Sequence, residues 1–141
     1  MEKTFSLRVV TPVGTVIETE TSALTLQTSS EEITILPEHT HYTTTLGTGI
    51  MRFRDKAGQD HEFITSGGFA SFTDAQVLIL TDSVDFKEDI EIEGLAERIT
   101  ELEKELGVKG LHEADSAAIT EQLARARAQS ELIRNLSLIH I

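Results

Sequence analysis

Cysteine and tryptophan are absent from this chain of 141 residues, and proline occurs only twice. The missing cysteine excludes a disulfide framework, thiol catalysis and cysteine-ligated zinc or iron–sulfur centres. No apolar run approaches the ~20 residues that a membrane-spanning helix needs. The N-terminal residues MEKTFSLRVV lack the apolar segment and cleavage site of a signal peptide, so we expect that the chain is not secreted.

Basic residues are also scarce. The chain has 24 Asp and Glu residues against 12 Lys and Arg, which gives a formal charge of −12. A general nucleic-acid binder needs clustered Lys and Arg to contact phosphates, and a membrane-surface helix needs a basic face. Neither function fits this composition. We expect no nucleic-acid partner and a chain that faces the cytoplasm.

The sequence pattern changes near Lys87. Residues 1–87 contain both prolines, all six Phe and the single Tyr, and their apolar residues recur at short, mostly period-two spacing between turn residues. About ten short strands with turns between them predict an antiparallel sandwich or barrel. The run Val77-Leu78-Ile79-Leu80 does not alternate with polar residues, which predicts a strand covered on both faces.

Residues 88–141 contain neither proline nor aromatic residues and have a helical period. The first apolar stripe, which Gly107 and Gly110 end, comprises Leu95, Ile99, Leu102 and Leu106. Asp115 or Ser116 can cap a second helix. Its stripe comprises Ile119, Leu123, Ala126 and Ile133, with Ser130 in one register position. Two amphipathic helices joined by a short connection predict an antiparallel α-helical hairpin that packs on itself and is detachable.

Motifs that could carry chemistry are weak. His39 and His41 would share a face of an extended segment, but Glu38 would point to the opposite face and no third ligand is evident, so we expect a polar loop without a metal. Ser66-Gly67-Gly68 lacks the Gly-x-Ser-x-Gly pattern of a hydrolase nucleophile and predicts a tight turn. No glycine-rich loop carries a Lys-Ser or Lys-Thr pair, so we expect no bound cofactor.

The closing residues LSLIHI are unusual for a solvent-facing helix end. They match the translation of a transposon end used in sequencing libraries. We therefore expect the native C-terminus to differ, and His140 and Ile141 carry no part of the functional hypothesis.

Four blocks of the sequence, taken together and in order, resemble the epsilon subunit of F-type ATP synthases. Residues 35–39 are similar to that family's Ile-Leu-Pro-Gly-His loop, and residues 65–69 contain its Ser-Gly-Gly-Phe turn. Residues 7–12 resemble its opening strand and turn, and residues 77–82 its last strand of the sandwich. The resemblance implies a β-sandwich over residues 1–87 and a regulatory helical hairpin over residues 88–141.

The resemblance also implies a non-catalytic subunit in the central rotor of a proton-translocating synthase. The sandwich would bind the gamma subunit and lie on the c-ring. The hairpin would move between a folded position and an extended one that inhibits ATP hydrolysis inside the alpha/beta catalytic head. Such a chain is peripheral to the membrane, on the cytoplasmic face of the bacterial plasma membrane.

Two sets of contact residues follow from the resemblance. The loop that meets the ring in the family corresponds to Glu32, Pro37, Glu38 and His39. The arginines of the last helix, Arg125, Arg127 and Arg134, would face an acidic stretch of the catalytic head. Arg127 and Arg134 are seven residues apart and share a helix face, whereas Arg125 points about 200° away from Arg127.

The sequence departs from the family pattern at two places. The Glu-Gly-Glu-x-Gly before the ring loop is here residues 30–34, without either glycine. Some bacterial members bind ATP through Ile/Leu-Asp-x-x-Arg-Ala, which corresponds to residues 90–95. Glu91 retains the acid there, but Gly94 replaces the arginine and Glu93 adds repulsion toward phosphate. We expect weak ATP binding or none.

Two other classes of function are alternatives. A free-standing β-sandwich that binds a ligand or carbohydrate would need an aromatic-lined cleft, and six Phe, one Tyr and no Trp provide little material for one. A small hydrolase would need a catalytic triad, which the sequence lacks. Co-purification with a gamma subunit would distinguish the rotor hypothesis from both alternatives.

Overall fold

The structure is a computed structural model that describes residues 3–37, 41–73, 75–108, 110 and 112–139. The chain forms two compact units, Met1–Asp85 and Phe86–Ile141. Strands make up the first unit, and helices dominate the second.

Ten strands lie within the described residues and form two five-stranded sheets. The strands are β1 (Phe5–Thr11), β2 (Gly14–Thr21), β3 (Leu24–Gln27), β4 (Glu32–Ile35), β5 (Tyr42–Thr45), β6 (Gly49–Arg54), β7 (Asp60–Thr65), β8 (Phe69–Thr73), β9 (Gln76–Leu80) and β10 (Val84–Phe86). Sheet one has the order β2-β1-β9-β8-β5, and sheet two the order β10-β7-β6-β3-β4. The predicted β-sandwich is confirmed, although β1 and β9 pair in parallel, with Leu7 beside Val77.

Alternation along the strands places the core between the two sheets. In β1, Phe5, Leu7 and Val9 are buried while Arg8 is exposed. Phe5 packs edge-on against Phe72 of β8, with 5.7 Å between the ring centroids. Sheet two contributes the buried residues Leu24, Leu26, Ile35, Met51, Phe53 and Phe63. Full burial of one such side chain stabilises the fold by ~1.5–3 kcal/mol relative to leaving it exposed, so the sandwich has a core of its own.

Strand β9 differs from the sequence-based expectation. Val77 and Ile79 are buried, but Leu78 and Leu80 are 38% and 37% exposed. The prediction that this strand is covered on both faces is wrong for the chain by itself, because only the inner face of a sandwich sheet packs against the other sheet.

The turn between β6 and β7 is held by Asp55. Its Oδ1 accepts hydrogen bonds from the N–H groups of Ala57 and Gln59, at 2.8 and 3.0 Å. Its Oδ2 lies 2.7 Å from Nε2 of His61. The hydrogen bond with His61, followed by the one from Gln59, lowers the pKa of Asp55 below its ordinary value of 3.8. The carboxylate therefore stays charged, and able to accept these bonds, to a lower pH than in the unfolded chain.

The second unit contains a 3-10 turn (Lys87–Asp89) and two helices, α1 (Leu95–Leu106) and α2 (Glu113–Ile139). The stripe predicted for α1 is confirmed, with Leu95 and Leu102 buried. The predicted cap of α2 at Asp115 or Ser116 is wrong. The helix begins at Glu113, because the N–H of Ser116 already donates a helical hydrogen bond to the carbonyl of His112, at 2.9 Å. Asp115 lies in the first turn instead.

The buried side of α2 is wider than the predicted stripe. Leu123 and Ala126 are buried as predicted, and Ile119 and Ile133 are half-buried. Three further residues are buried that the sequence did not single out: Ala128, Gln129 and Leu132. Alanine is small enough to let neighbouring elements approach a helix closely, so Gln129, which follows Ala128, can become buried.

We predict that residues 1–87 fold without the helices. The ten strands end at Phe86, and the buried residues of the sandwich core all precede it. A chain that ends at Lys87 therefore keeps the whole sandwich. We expect a cooperative thermal transition by circular dichroism and well-dispersed amide resonances by NMR. A truncated chain that shows neither would contradict the division into two independent folding units.

Candidate interaction surfaces

The outer face of sheet one carries four apolar residues, Val10, Phe69, Leu78 and Leu80, which we call the apolar strip. Val10 lies beside Leu80 across the β1–β9 pair, and Phe69 lies beside Leu80 across the β8–β9 pair. Directly opposed residues share a face, so these three side chains cross three neighbouring strands. Leu78, two residues from Leu80 on β9, shares that face.

The apolar strip is open to solvent in this chain. Phe69, Leu78 and Leu80 are 49%, 38% and 37% exposed, and Val10 is half-buried. A polar margin borders the strip, because Arg8 lies beside Leu78 and opposite Glu18 of β2. An apolar centre with a polar margin is typical of a protein–protein interface. The sequence patterns did not identify this surface. The apolar run of β9, which does not alternate with polar residues, was the one indication that its outer face is apolar.

Two of the predicted rotor-contact residues, Glu32 and Pro37, lie at the two ends of β4. Glu32 is exposed and begins β4, an edge strand of sheet two, and Pro37 is half-buried in the turn that follows. Glu38 and His39 lie outside the described residues. Leu36, which the sequence analysis did not single out, is 55% exposed beside Pro37. β4 therefore presents an acidic side chain to solvent at its start and is followed by an exposed apolar one.

The turn before Glu32 forms without the glycines of the family pattern. The Oγ1 of buried Thr28 accepts hydrogen bonds from the N–H groups of Ser30 and Glu31, at 3.2 and 2.9 Å, and donates one to the Glu31 carbonyl, at 2.6 Å. Among the described residues, Ala75 is the one non-glycine with a positive φ. Glu31 and Thr34 thus have ordinary φ values, and the hydroxyl of Thr28 positions the turn.

The arginines of α2 fall on two sides of the hairpin. Arg127 and Arg134 border one hollow, together with Ser130 and Ile99, and Arg125 borders another. Nη2 of Arg127 lies 3.4 Å from Oε1 of Glu103. Both side chains are more than half exposed, and such exposed pairs contribute only ~0–1 kcal/mol. Arg127 can therefore leave Glu103 at little cost in stability.

A protein-family model, the β-sandwich domain of the ATP synthase delta/epsilon chain, matches residues 4–87. The chain belongs to the ATP synthase delta/epsilon family. The match covers the sandwich, so two candidate surfaces lie on the part of the chain that defines the family. These are the apolar strip and residues 32–39, which we call the β4 loop.

Several relatives within this family are named ATP synthase epsilon chain. One, from Nitratidesulfovibrio vulgaris (strain DP4), is 29% identical over 141 residues, which cover 100% of this chain and 97% of the relative. One from Desulfitobacterium hafniense (strain Y51) is 34% identical over 93 residues, which cover 66% of this chain and 70% of the relative. One from Propionigenium modestum, named as sodium ion specific, is 29% identical over 138 residues, which cover 94% of this chain and 98% of the relative.

Two solved structures share the fold of this epsilon-type chain. A chain of the Euglena gracilis mitochondrial ATP synthase (OSCP/F1/c-ring) superposes with a TM-score of 0.81 at 22% identity, over 92% of this chain and 81% of that one. A chain of the Tetrahymena thermophila mitochondrial ATP synthase (central stalk/c-ring) superposes with a TM-score of 0.66 at 13% identity, over 93% of this chain and 97% of that one. The family match and the named relatives together identify a non-catalytic, epsilon-type subunit of an ATP synthase, and the solved structures share its fold.

The described part of this epsilon-type chain offers two further findings about possible sites. No group of three or more His, Asp or Glu residues there could hold a metal ion. His41, one of the two histidines considered as ligands, is exposed. In the same described residues, no helix combines the length and hydropathy that a bilayer crossing requires.

Proposed function

We propose that this chain links the gamma subunit to the c-ring in the rotor of an F-type ATP synthase. In this proposal the sandwich binds gamma through the apolar strip and meets the ring through the β4 loop. The hairpin regulates ATP hydrolysis by contacting the alpha/beta catalytic head. The observation that carries the proposal is the open apolar strip on a domain of the epsilon family.

The sequence of β9 supports a partner on this face. Its residues are apolar on both sides, which is typical of strands buried on both faces. This chain buries Val77 and Ile79 but leaves Leu78 and Leu80 exposed. Apolar side chains contribute ~25 cal/mol for each Å² of surface removed from water, so a partner that covers the strip gains free energy that the chain alone does not realise.

A pull-down from native membranes tests the proposal. We expect tagged full-length chain to retain gamma, the catalytic head and the c-ring in stable stoichiometry. A free-standing ligand-binding module would be recovered without them. Recovery of the chain alone, under conditions that keep the synthase intact, would therefore overturn the proposal.

We predict that the β4 loop contributes to coupling. In Glu32→Lys with His39→Glu, charges at both ends of the loop are reversed or added, so contact with the ring should weaken. Because Glu32 is exposed, we expect an unchanged thermal midpoint. ATP-driven proton pumping in membrane vesicles should fall severalfold relative to hydrolysis. Pumping equal to wild type in the double variant would count against the loop as a ring contact.

We predict that Arg127 and Arg134 inhibit hydrolysis through an acidic surface of the catalytic head. Charges that meet across a partly desolvated interface are worth more than exposed pairs, and these two arginines border the same hollow. Arg127→Ala with Arg134→Ala should raise hydrolysis severalfold at low ionic strength. The increase should shrink as salt rises, because screening already weakens the wild-type contact.

Arg125→Ala is the matched control for the arginine pair, because Arg125 borders a different hollow. It removes one positive charge from the same helix, against two in the double variant, and we expect less than half of the double variant's effect. The assay is hydrolysis by the reconstituted head complex at two ionic strengths. If the double variant and wild type hydrolyse ATP equally at low salt, these arginines are only a solvated helix face.

We propose a peripheral location on the cytoplasmic face of the bacterial plasma membrane, through the complex. We also propose the proton as the coupling ion. Relatives named as sodium ion specific make this testable. Pumping by the assembled synthase should proceed in sodium-free buffer, and a strict requirement for sodium would overturn the choice of ion.

A further inference from the structure

A buried amide lies in the interface between α1 and α2. The side chain of Gln129 is almost fully buried, with the residue 8% exposed. Nη2 of Arg98, on α1, donates a hydrogen bond to Oε1 of Gln129 at 2.9 Å. A buried amide without partners destabilises a fold, and a hydrogen bond that involves a charged donor is stronger than a neutral one. The Arg98–Gln129 contact therefore favours the one helix register that brings these two residues together.

The segment that corresponds to the family's ATP motif does not fit a nucleotide phosphate. Gly94 stands where the motif has arginine, and its φ of +80° is in the left-handed region that L-residues rarely adopt. Glu91 and Glu93, on the same segment, are both exposed and negatively charged. The position has thus lost the arginine and has taken a backbone conformation that suits glycine.

Two cationic side chains border a hollow between the helices. Arg98 and Arg125 border it with Gln129, and its volume is about 390 Å³. An anion that entered this hollow would compete with Gln129 for the guanidinium of Arg98. The chain thus supplies its own uncharged acceptor for the guanidinium of Arg98.

We infer that the direct contact between Arg98 and Gln129 keeps the hairpin closed without a nucleotide. This inference rests on the proposed movement of the hairpin between folded and extended positions. The balance between the two positions is then set by the chain itself and by the partner surface that competes for α2. It does not follow the concentration of ATP.

Distances between two spin labels on the full-length chain test this inference. The chain has no cysteine, so Glu97→Cys and Glu131→Cys, both at exposed positions, give one label on each helix. We expect a single short distance without nucleotide, and the same distribution after addition of ATP or inorganic phosphate. A shift of an open population to the short distance on addition of ATP would overturn the inference.

Substitutions at the contact test its strength. Arg98→Ala should lower the ratio of closed to open hairpin about tenfold, and Gln129→Ala should do the same. The double variant should fall short of the product of the two single effects, because each single change removes the bond between Arg98 and Gln129. Effects that add independently would overturn the contact as the cause of closure. Glu103→Gln is the control, since it removes only the exposed pair with Arg127 and should change the ratio twofold or less.

Gln129→Glu keeps the inference testable if Gln129→Ala unfolds α2. It preserves the side-chain length and offers Arg98 a carboxylate, so the closed fraction should stay equal or rise, while adding Arg98→Ala should open the hairpin. A lower closed fraction in Gln129→Glu, with helix content unchanged by circular dichroism, would contradict the inference. All these measurements use the free chain, so their outcome is separate from whether the assembled synthase is inhibited.

Discussion

Gly68→Ala should unfold the sandwich or destabilise it by ~3 kcal/mol or more, the size of effect expected when a well-packed backbone contact is forced apart. Gly68 has a φ of +103°, and a Cβ added there would lie 1.8 Å from the carbonyl oxygen of Leu80. Since that atom belongs to the backbone of β9, no side chain can rotate away. The carbonyl of Gly68 also accepts a hydrogen bond from Leu46, at 2.8 Å, so a displaced Gly68 disturbs two neighbouring segments.

Gly67→Ala is the matched control for this substitution. Gly67 also has a positive φ, +68°, but the nearest atom to an added Cβ is the Asp82 carboxylate oxygen at an ordinary 3.6 Å. In Gly67→Ala only the backbone strain at a positive φ remains. We expect the free energy of unfolding to fall by about 1 kcal/mol. Urea unfolding of the full-length chain measures both variants. Equal stabilities for the two variants would show that the close approach to Leu80 is unimportant.

Leu78→Asp with Leu80→Asp should reduce binding to gamma more than about 100-fold. The two carboxylates would be forced out of water in the proposed interface, where an unpaired buried charge is strongly unfavourable. The fold should survive, because both side chains are more than a third exposed and surface changes rarely exceed ~0.5 kcal/mol. Binding to purified gamma, measured by calorimetry, gives the affinity directly.

Val108→Asp is the control for the apolar strip. Val108 is 58% exposed and belongs to the second unit, so the variant introduces one of the two added charges at a position that is not part of the sandwich. We expect wild-type affinity for gamma. If the strip variant also binds like wild type, gamma does not dock on the outer face of sheet one.

The sequence was sufficient for elements whose burial repeats with a clear period. β1 alternates buried and exposed residues, and α1 has one apolar stripe, so both were predicted correctly. The start of α2 was not, because an acidic residue such as Asp115 is favourable both as a cap and inside the first turn. The period alone cannot distinguish these positions.

Prediction of the interaction surfaces needs information that the local sequence does not contain. The apolar run of β9 predicted that both faces of the strand are buried. It did not indicate whether this chain or a partner covers the outer face. The burial of Gln129 was missed because polar residues are mostly exposed. The contact between Glu103 and Arg127 depends on the register between the two helices, which their apolar stripes leave open.

The parallel pairing of β1 with β9 has a consequence for synthesis of the protein. Leu7 finds its neighbour Val77 only after nearly the whole sandwich has left the ribosome, so sheet one cannot close until β9 has emerged. Until then the free edge of β1, with its apolar Phe5, Leu7 and Val9, can pair with other chains. Ribosomes that stall before β9 should release aggregation-prone fragments, whereas stalling after β10 should release a folded sandwich.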